Sequence, residues 1–172
     1  MTDEKTDKKS KETLRDFLYD VQKGVDKKDL DEGLLLKEKE ERKNVLNLKL
    51  MVCVDISGSV SLEQYKSFMQ QLDKIRGLSM VKVIETDTKV VAMYDYYKAK
   101  KSRIIRMGGG GGTDFKDAMA CSLKSKPDAI LFFTDGYDSG QLTNPKIPCA
   151  MVLTQHGTCG YDWMKEVARV DT

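Results

Sequence analysis

Histidine is nearly missing from this 172-residue chain: His156 is the only one. One imidazole leaves little material for a histidine-built zinc site or for general-base catalysis. Cysteine is sparse too, with Cys53, Cys121, Cys149 and Cys159 in no CxxC pair. That argues against a disulfide scaffold or a zinc finger and points to a reduced, cytoplasmic chain. No apolar run approaches the roughly 18 residues that span a bilayer, and the charged residues 1–11 do not read as a signal peptide. Neither sign of charge prevails: 29 Lys and Arg face 27 Asp and Glu, for a net +2. No global field therefore argues for or against nucleic acid.

What is present is a core-forming chain with a lopsided charge distribution. Apolar residues make up 40% and charged residues 33%, enough for one globular domain with a small appendage. Residues 1–47 hold 25 of the charged side chains and residues 48–172 the other 31. The first stretch cannot build a core of its own and the second can. The organisation read from this is a charged helical N-terminal extension, 1–47, followed by an α/β domain, 48–172. In the extension Leu14, Phe17, Leu18 and Val21 recur at helical spacing, with Ser10 placed to cap the helix and Gly24 to end it. Leu30, Leu34, Leu35 and Leu36 make a second apolar patch ahead of a Lys/Glu-rich run, 37–43. The pattern suits amphipathic helices lying on the main domain, with a partner-docking helix or disorder as the alternatives.

From residue 48 onward the chain alternates between strand and helix patterns. Residues 48–54 (LKLMVCV) read as a strand buried on both faces. Residues 61–76 read as a helix, with Leu62, Tyr65, Phe68, Met69, Leu72 and Ile75 on one face. Strands at 80–84 and 90–94, separated by a few polar residues, form an antiparallel hairpin. The five glycines at 108–112 interrupt regular structure, and a helix follows over 115–123. Buried strands are expected at 129–133 (AILFF) and 149–153 (CAMVL), and a closing helix at 161–170. This order implies a mostly parallel sheet covered by helices on both faces.

The chemistry sits at the strand ends. The first strand runs into Asp55-Ile56-Ser57-Gly58-Ser59, and the AILFF strand into Thr134-Asp135-Gly136. In an open parallel sheet, ligands bind beyond the carboxyl ends of the strands where the strand order reverses. If these two strands are neighbours there, Asp55 and Asp135 face one crevice, Ser57 and Ser59 aim hydroxyls at it, and the glycine run delivers Thr113. Two carboxylates and three hydroxyls are hard oxygen donors. They suit Mg²⁺, Mn²⁺ or Ca²⁺ and not zinc or copper. With so few protein charges the ion stays electrophilic, and a partner's carboxylate would complete its shell. Two rival readings fail on the residues: a P-loop lacks its Lys, since Thr113 follows glycine directly, and a phosphoryl-accepting Asp55 lacks an acid at position 57, which is Ser.

Asp55-x-Ser57-x-Ser59, then Thr113, then Asp135 resembles the metal-ion-dependent adhesion site of von Willebrand factor A domains. The chain is similar to a compact bacterial and phage branch of those domains, whose members accompany metallopeptidase-like helical domains and MoxR-type ATPases. The shared stretches are VCVDISGSVS, VIETDTKV, GGGGGTDF, LFFTDG and PKIPCAMVL, across about residues 48–155. The resemblance implies a Rossmann-like sheet in the order 3-2-1-4-5 with strand 3 antiparallel at one edge. It implies that Ser57, Ser59 and Thr113 coordinate a metal, Mg²⁺ first and Mn²⁺ or Ca²⁺ as alternatives. Asp55 and Asp135 would bind it directly or through water. It implies a non-catalytic protein-interaction module, whose partner offers an Asp or Glu carboxylate to the metal. An AAA+ ATPase of the MoxR type is one such partner.

The chain also departs from that pattern. Little room is left between Tyr94 and the glycines for the usual extra helix. The last strand of larger members is expected to be absent. No HExxH is present and residues 1–47 are too few for the metallopeptidase-like domain, so peptidase activity is not carried over. Two other function classes stay open: a metal-dependent hydrolase, for example of phosphoesters, and a structural or assembly protein with a vestigial site.

The remaining polar residues have plainer readings. His156 reads as a surface residue, and Asp87, Asp114 and Asp138 as turn, cap or rim residues. Lys98, Lys100, Lys101, Arg103 and Arg106 read as a solubilising loop, with an acidic partner or nucleic acid as the alternative. Cys53 and Cys149 read as buried core thiols, Cys121 as helical and Cys159 as a turn residue.

Overall fold

The computed structural model describes residues 4–31, 47–75, 80–96 and 112–171. Leucines 34–36, the basic stretch 98–106 and glycines 108–111 lie outside them. The apolar runs form the strands. β1 (Lys49–Asp55), β2 (Met80–Thr86), β3 (Val90–Asp95), β4 (Ala129–Thr134), β5 (Cys149–Thr154) and β6 (Lys165–Val170) build one sheet, ordered β3-β2-β1-β4-β5-β6. Every pairing is parallel except β2 with β3, which is an antiparallel hairpin. Asp87 shapes the hairpin turn, its carboxylate accepting the Lys89 N–H at 3.2 Å. All residues of β4 and β5 are buried, as expected of strands covered on both faces.

The two-residue period of the strands sorts side chains onto two faces. Leu50, Val52 and Val54 of β1 join Ala129, Leu131 and Phe133 of β4 on one face. There they meet Leu14, Phe17, Leu18 and Val21 of α1 (Glu4–Asp31) and Tyr65, Phe68, Leu72 and Ile75 of α2 (Leu62–Ile75). Met51, Cys53, Ile130 and Phe132 take the other face with Ala118 and Met119 of α3 (Lys116–Lys124). Phe68 packs 5.6 Å from Phe133 on one side, and Phe115 packs 5.2 Å from Phe132 on the other. At the start of α2, the Ser61 hydroxyl accepts the Gln64 N–H at 3.1 Å and Gln64 Oε1 accepts the Ser61 N–H at 2.9 Å. This reciprocal cap satisfies two otherwise orphaned donors.

Two expectations are corrected. The closing segment is a sixth strand, parallel to β5, and not a helix; the strand that was expected to be absent is therefore present. The cause is a bulge. Met151 pairs with Glu166 and Val152 with Ala168, so Val167 is the extra residue and joins Ala168 on the same core face. Buried Met164, Val167 and Ala168 then fall at i, i+3 and i+4, which imitates a helix. The second correction concerns Gly24, which does not end α1. The helix starts before Ser10 and runs on to Asp31, because Val25 continues the apolar stripe against the core and this packing outweighs glycine's poor propensity. Among the described residues no helix is long and apolar enough to cross a membrane.

The chain leaves β1 toward β2 on one side and later returns to β4 on the other. The carboxyl ends of β1 and β4 therefore flank the point where the strand order reverses.

Candidate functional site

Asp55 is the last residue of β1 and is fully buried. Its neighbour β4 pairs Phe133 with Val54, which sets Thr134 level with Asp55. The Thr134 hydroxyl donates to Asp55 Oδ2 at 2.6 Å and accepts the Gly136 N–H at 3.0 Å. Asp55 Oδ1 accepts the Ser57 N–H at 2.9 Å, folding the loop so that Ser57 Oγ lies 3.1 Å from Ser59 Oγ. The Thr113 hydroxyl reaches the same carboxylate, at 3.5 Å from Oδ1 and 3.4 Å from Oδ2. Ser57 and Thr113 are buried, whereas Ser59 is exposed at the rim.

Asp135 follows β4, is only 4% exposed, and accepts the Tyr137 N–H at 3.1 Å. Burial holds the Asp55 carboxyl above its ordinary range. The hydrogen bonds from Ser57 and Thr134 pull it down, and the charge of Asp135 pushes it up again. Among the described residues neither carboxylate has a salt-bridge partner. The structure thus brings Asp55, Ser57, Ser59 and Thr113 into one bonded cluster and sets Asp135 within electrostatic reach of Asp55. Among the described residues no group of three or more His, Cys, Asp or Glu is placed to hold a metal. Any cation here would depend on the hydroxyls as much as on the carboxylates.

Glycine positions the second carboxylate. Gly136 has φ +82°, and a Cβ there would stand 1.7 Å from the Thr158 carbonyl oxygen. A Cβ on Gly157 would stand 2.7 Å from the Asp135 carbonyl oxygen. Both glycines let the loop between β5 and β6 press on the backbone of Asp135, where the Thr158 N–H donates to the Asp135 carbonyl at 3.1 Å.

Sequence reasoning missed three contributors. Thr134 was visible in the LFFTDG strand end, but its partnership with Asp55 follows only from the β1–β4 register. Ser139 and Tyr161 belong to a clamp on Thr113. The Ser139 N–H and hydroxyl both donate to the Thr113 carbonyl, at 2.8 and 2.7 Å. Asp138 Oδ1 accepts the Gly140 N–H at 3.0 Å and the Phe115 N–H at 3.4 Å. The Tyr161 hydroxyl has both Asp138 Oδ2 and the Gly140 carbonyl as acceptors within reach of its one proton. Burial first, then the Asp138 carboxylate, pushes the Tyr161 phenol up to about 12. Asp138 is therefore a loop tie. Asp114 accepts the Lys116 N–H at the start of α3, and His156 is exposed beyond β5.

With this geometry in place, residues 50–168 match the family model described as VWA-like domain (DUF2201). No curated protein matches the chain.

Proposed function

The chain belongs to the VWA-like domain family, and from that premise we propose that it is a non-catalytic protein-interaction module that grips its partner through a divalent cation. One observation carries the reading: two buried carboxylates, Asp55 and Asp135, at the switch point of the sheet with no basic partner among the described residues, beside the hydroxyls of Ser57, Ser59 and Thr113. Two like charges removed from water raise each other's cost, and a cation between them would offset it. All the donors are oxygen, which fits Mg²⁺ first, with Mn²⁺ or Ca²⁺ as alternatives. Asp55, Ser57, Ser59, Thr113 and Asp135 would hold the ion, which when bound supplies a Lewis-acidic seat for an Asp or Glu carboxylate of the partner. An AAA+ ATPase of the MoxR type is one partner to screen first. Two carboxylates are few for a two-metal hydrolase, which favours binding over phosphoester cleavage.

The test is calorimetry of chelator-stripped protein with Mg²⁺, Mn²⁺ and Ca²⁺, run beside Asp55→Ala and Ser57→Ala. One binding site in the wild type, lost in both variants, is the expected result. No heat, together with an unchanged melting temperature in millimolar metal, sinks the reading and favours a structural role.

A further inference from the structure

The opposite end of the sheet carries a second concavity. Between α1 and the loops that enter β4, β5 and β6 lies a cleft of 640 Å³, within the size range of ligand sites. Its floor is apolar, with Val21 of α1, Ile147 and Trp163 among its lining. Its charges are in basic excess, three lysines against two aspartates. Asp20 is paired with Lys23 at 3.5 Å, and Asp128 accepts the Lys49 N–H at 2.8 Å. Lys28, Lys146 and Lys165 come to the rim from three separate segments, and among the described residues none of them is in an ion pair.

Gly24 supplies an independent observation. It lines this cleft from the interior of α1, where glycine is unfavourable. Among the described residues a Cβ at this position would meet nothing within 4 Å, so no contact with them requires glycine there. The effect of its missing side chain is to keep the α1 wall of the cleft clear. Both walls are exposed at the rim, Gly24 and Lys28 on one and Lys146, Pro148 and Lys165 on the other. An extended chain can lie in such a trough, whereas a small molecule would be only partly enclosed.

We propose that this cleft is a second protein-binding site, remote from the carboxyl-end site, and that it takes an acidic peptide segment of a partner carrying a bulky apolar side chain. The apolar side chain would seat against Val21, Ile147 and Trp163, and flanking carboxylates would pair with the three lysines. The site does not depend on the metal reading.

A random dodecapeptide library displayed against the full chain in EDTA tests it, since the chelator removes any contribution from a cation. Enriched peptides should combine Asp or Glu with a large apolar residue. A synthetic copy of the strongest should shift the emission of Trp163, the chain's one tryptophan. Its affinity should fall at least about tenfold in Gly24→Phe and in the double variant Lys28→Glu/Lys146→Glu. It should be unchanged in Gly24→Ala and Asp55→Ala. The double variant alters only exposed side chains, so it decides the matter if Gly24→Phe does not fold. No enrichment over the bare surface, a basic or uncharged consensus, an unmoved tryptophan emission, or binding indifferent to the double variant each overturns the proposal.

Discussion

Thr134 shows how much of the candidate site rests on one hydroxyl. It gives a 2.6 Å hydrogen bond to the buried Asp55 carboxylate and accepts the Gly136 N–H that starts the next turn. Thr134→Val keeps the shape and removes both bonds, leaving Asp55 Oδ2 only the longer contact from Thr113 and the Gly136 N–H without its acceptor. The cost of such orphaned groups is about 1–3 kcal/mol, and urea unfolding should show a loss of that order. Thr134→Ser keeps the oxygen and should lose no more than about 1 kcal/mol, the worth of one buried methyl. Equal stability of the valine variant and the wild type would refute the assignment. That Asp55, Ser57, Ser59, Thr113 and Asp135 gather at the carboxyl end of the sheet was legible in the sequence, because they sit in a pattern along the chain and at strand ends. Thr134 was not, because its partnership runs across two strands that are 79 residues apart at this point. Nothing local reports that register.

Elements were legible where one period ruled and misleading where a local irregularity mixed two. α2 and the hairpin follow clean periods and lie where the pattern put them. β6 does not, because the bulge at Val167 turns a two-residue alternation into a helix-like spacing. The same misreading hid the loop before β6, and with it Tyr161. That phenol ties Asp138 and the Gly140 carbonyl and accepts the Leu142 N–H at 3.2 Å, so it braces the loop that holds Thr113 through Ser139. Tyr161→Phe should therefore loosen a loop and leave the sheet intact. In native-state hydrogen exchange, the Ser139 amide should exchange about tenfold faster or more, an opening made roughly 1.4 kcal/mol easier. The amides of β1 and β4 should keep their protection. Uniform acceleration across the sheet would show that Tyr161 supports the core at large and not this loop.

At the scale of the whole molecule, the sheet buries titratable groups on both faces, and their shifts share one direction. Burial pushes the thiol of Cys53 from 9.0 up to about 12, and that of Cys149 likewise to about 12. On the α2 face, burial and then the Glu85 carboxylate raise the phenols of Tyr65 and Tyr94, which donate to Glu85 at 2.7 and 2.9 Å. Each group keeps its proton in the folded chain at a pH where the unfolded chain has released it. The contribution of the two thiols to stability is therefore complete below pH 9 and declines as pH rises toward 12. A single thiol of this kind accounts for on the order of 1 kcal/mol per pH unit inside that window. Cys53→Val replaces the thiol with an apolar side chain of similar size, and it isolates the term. Urea unfolding of wild type and variant should give a nearly constant difference up to about pH 9. Between pH 9 and 11 the wild type should then lose ground to the variant at roughly that rate. Curves that stay parallel through the window would mean that Cys53 ionises alike in both states, and that the face packed by α3 is open to water.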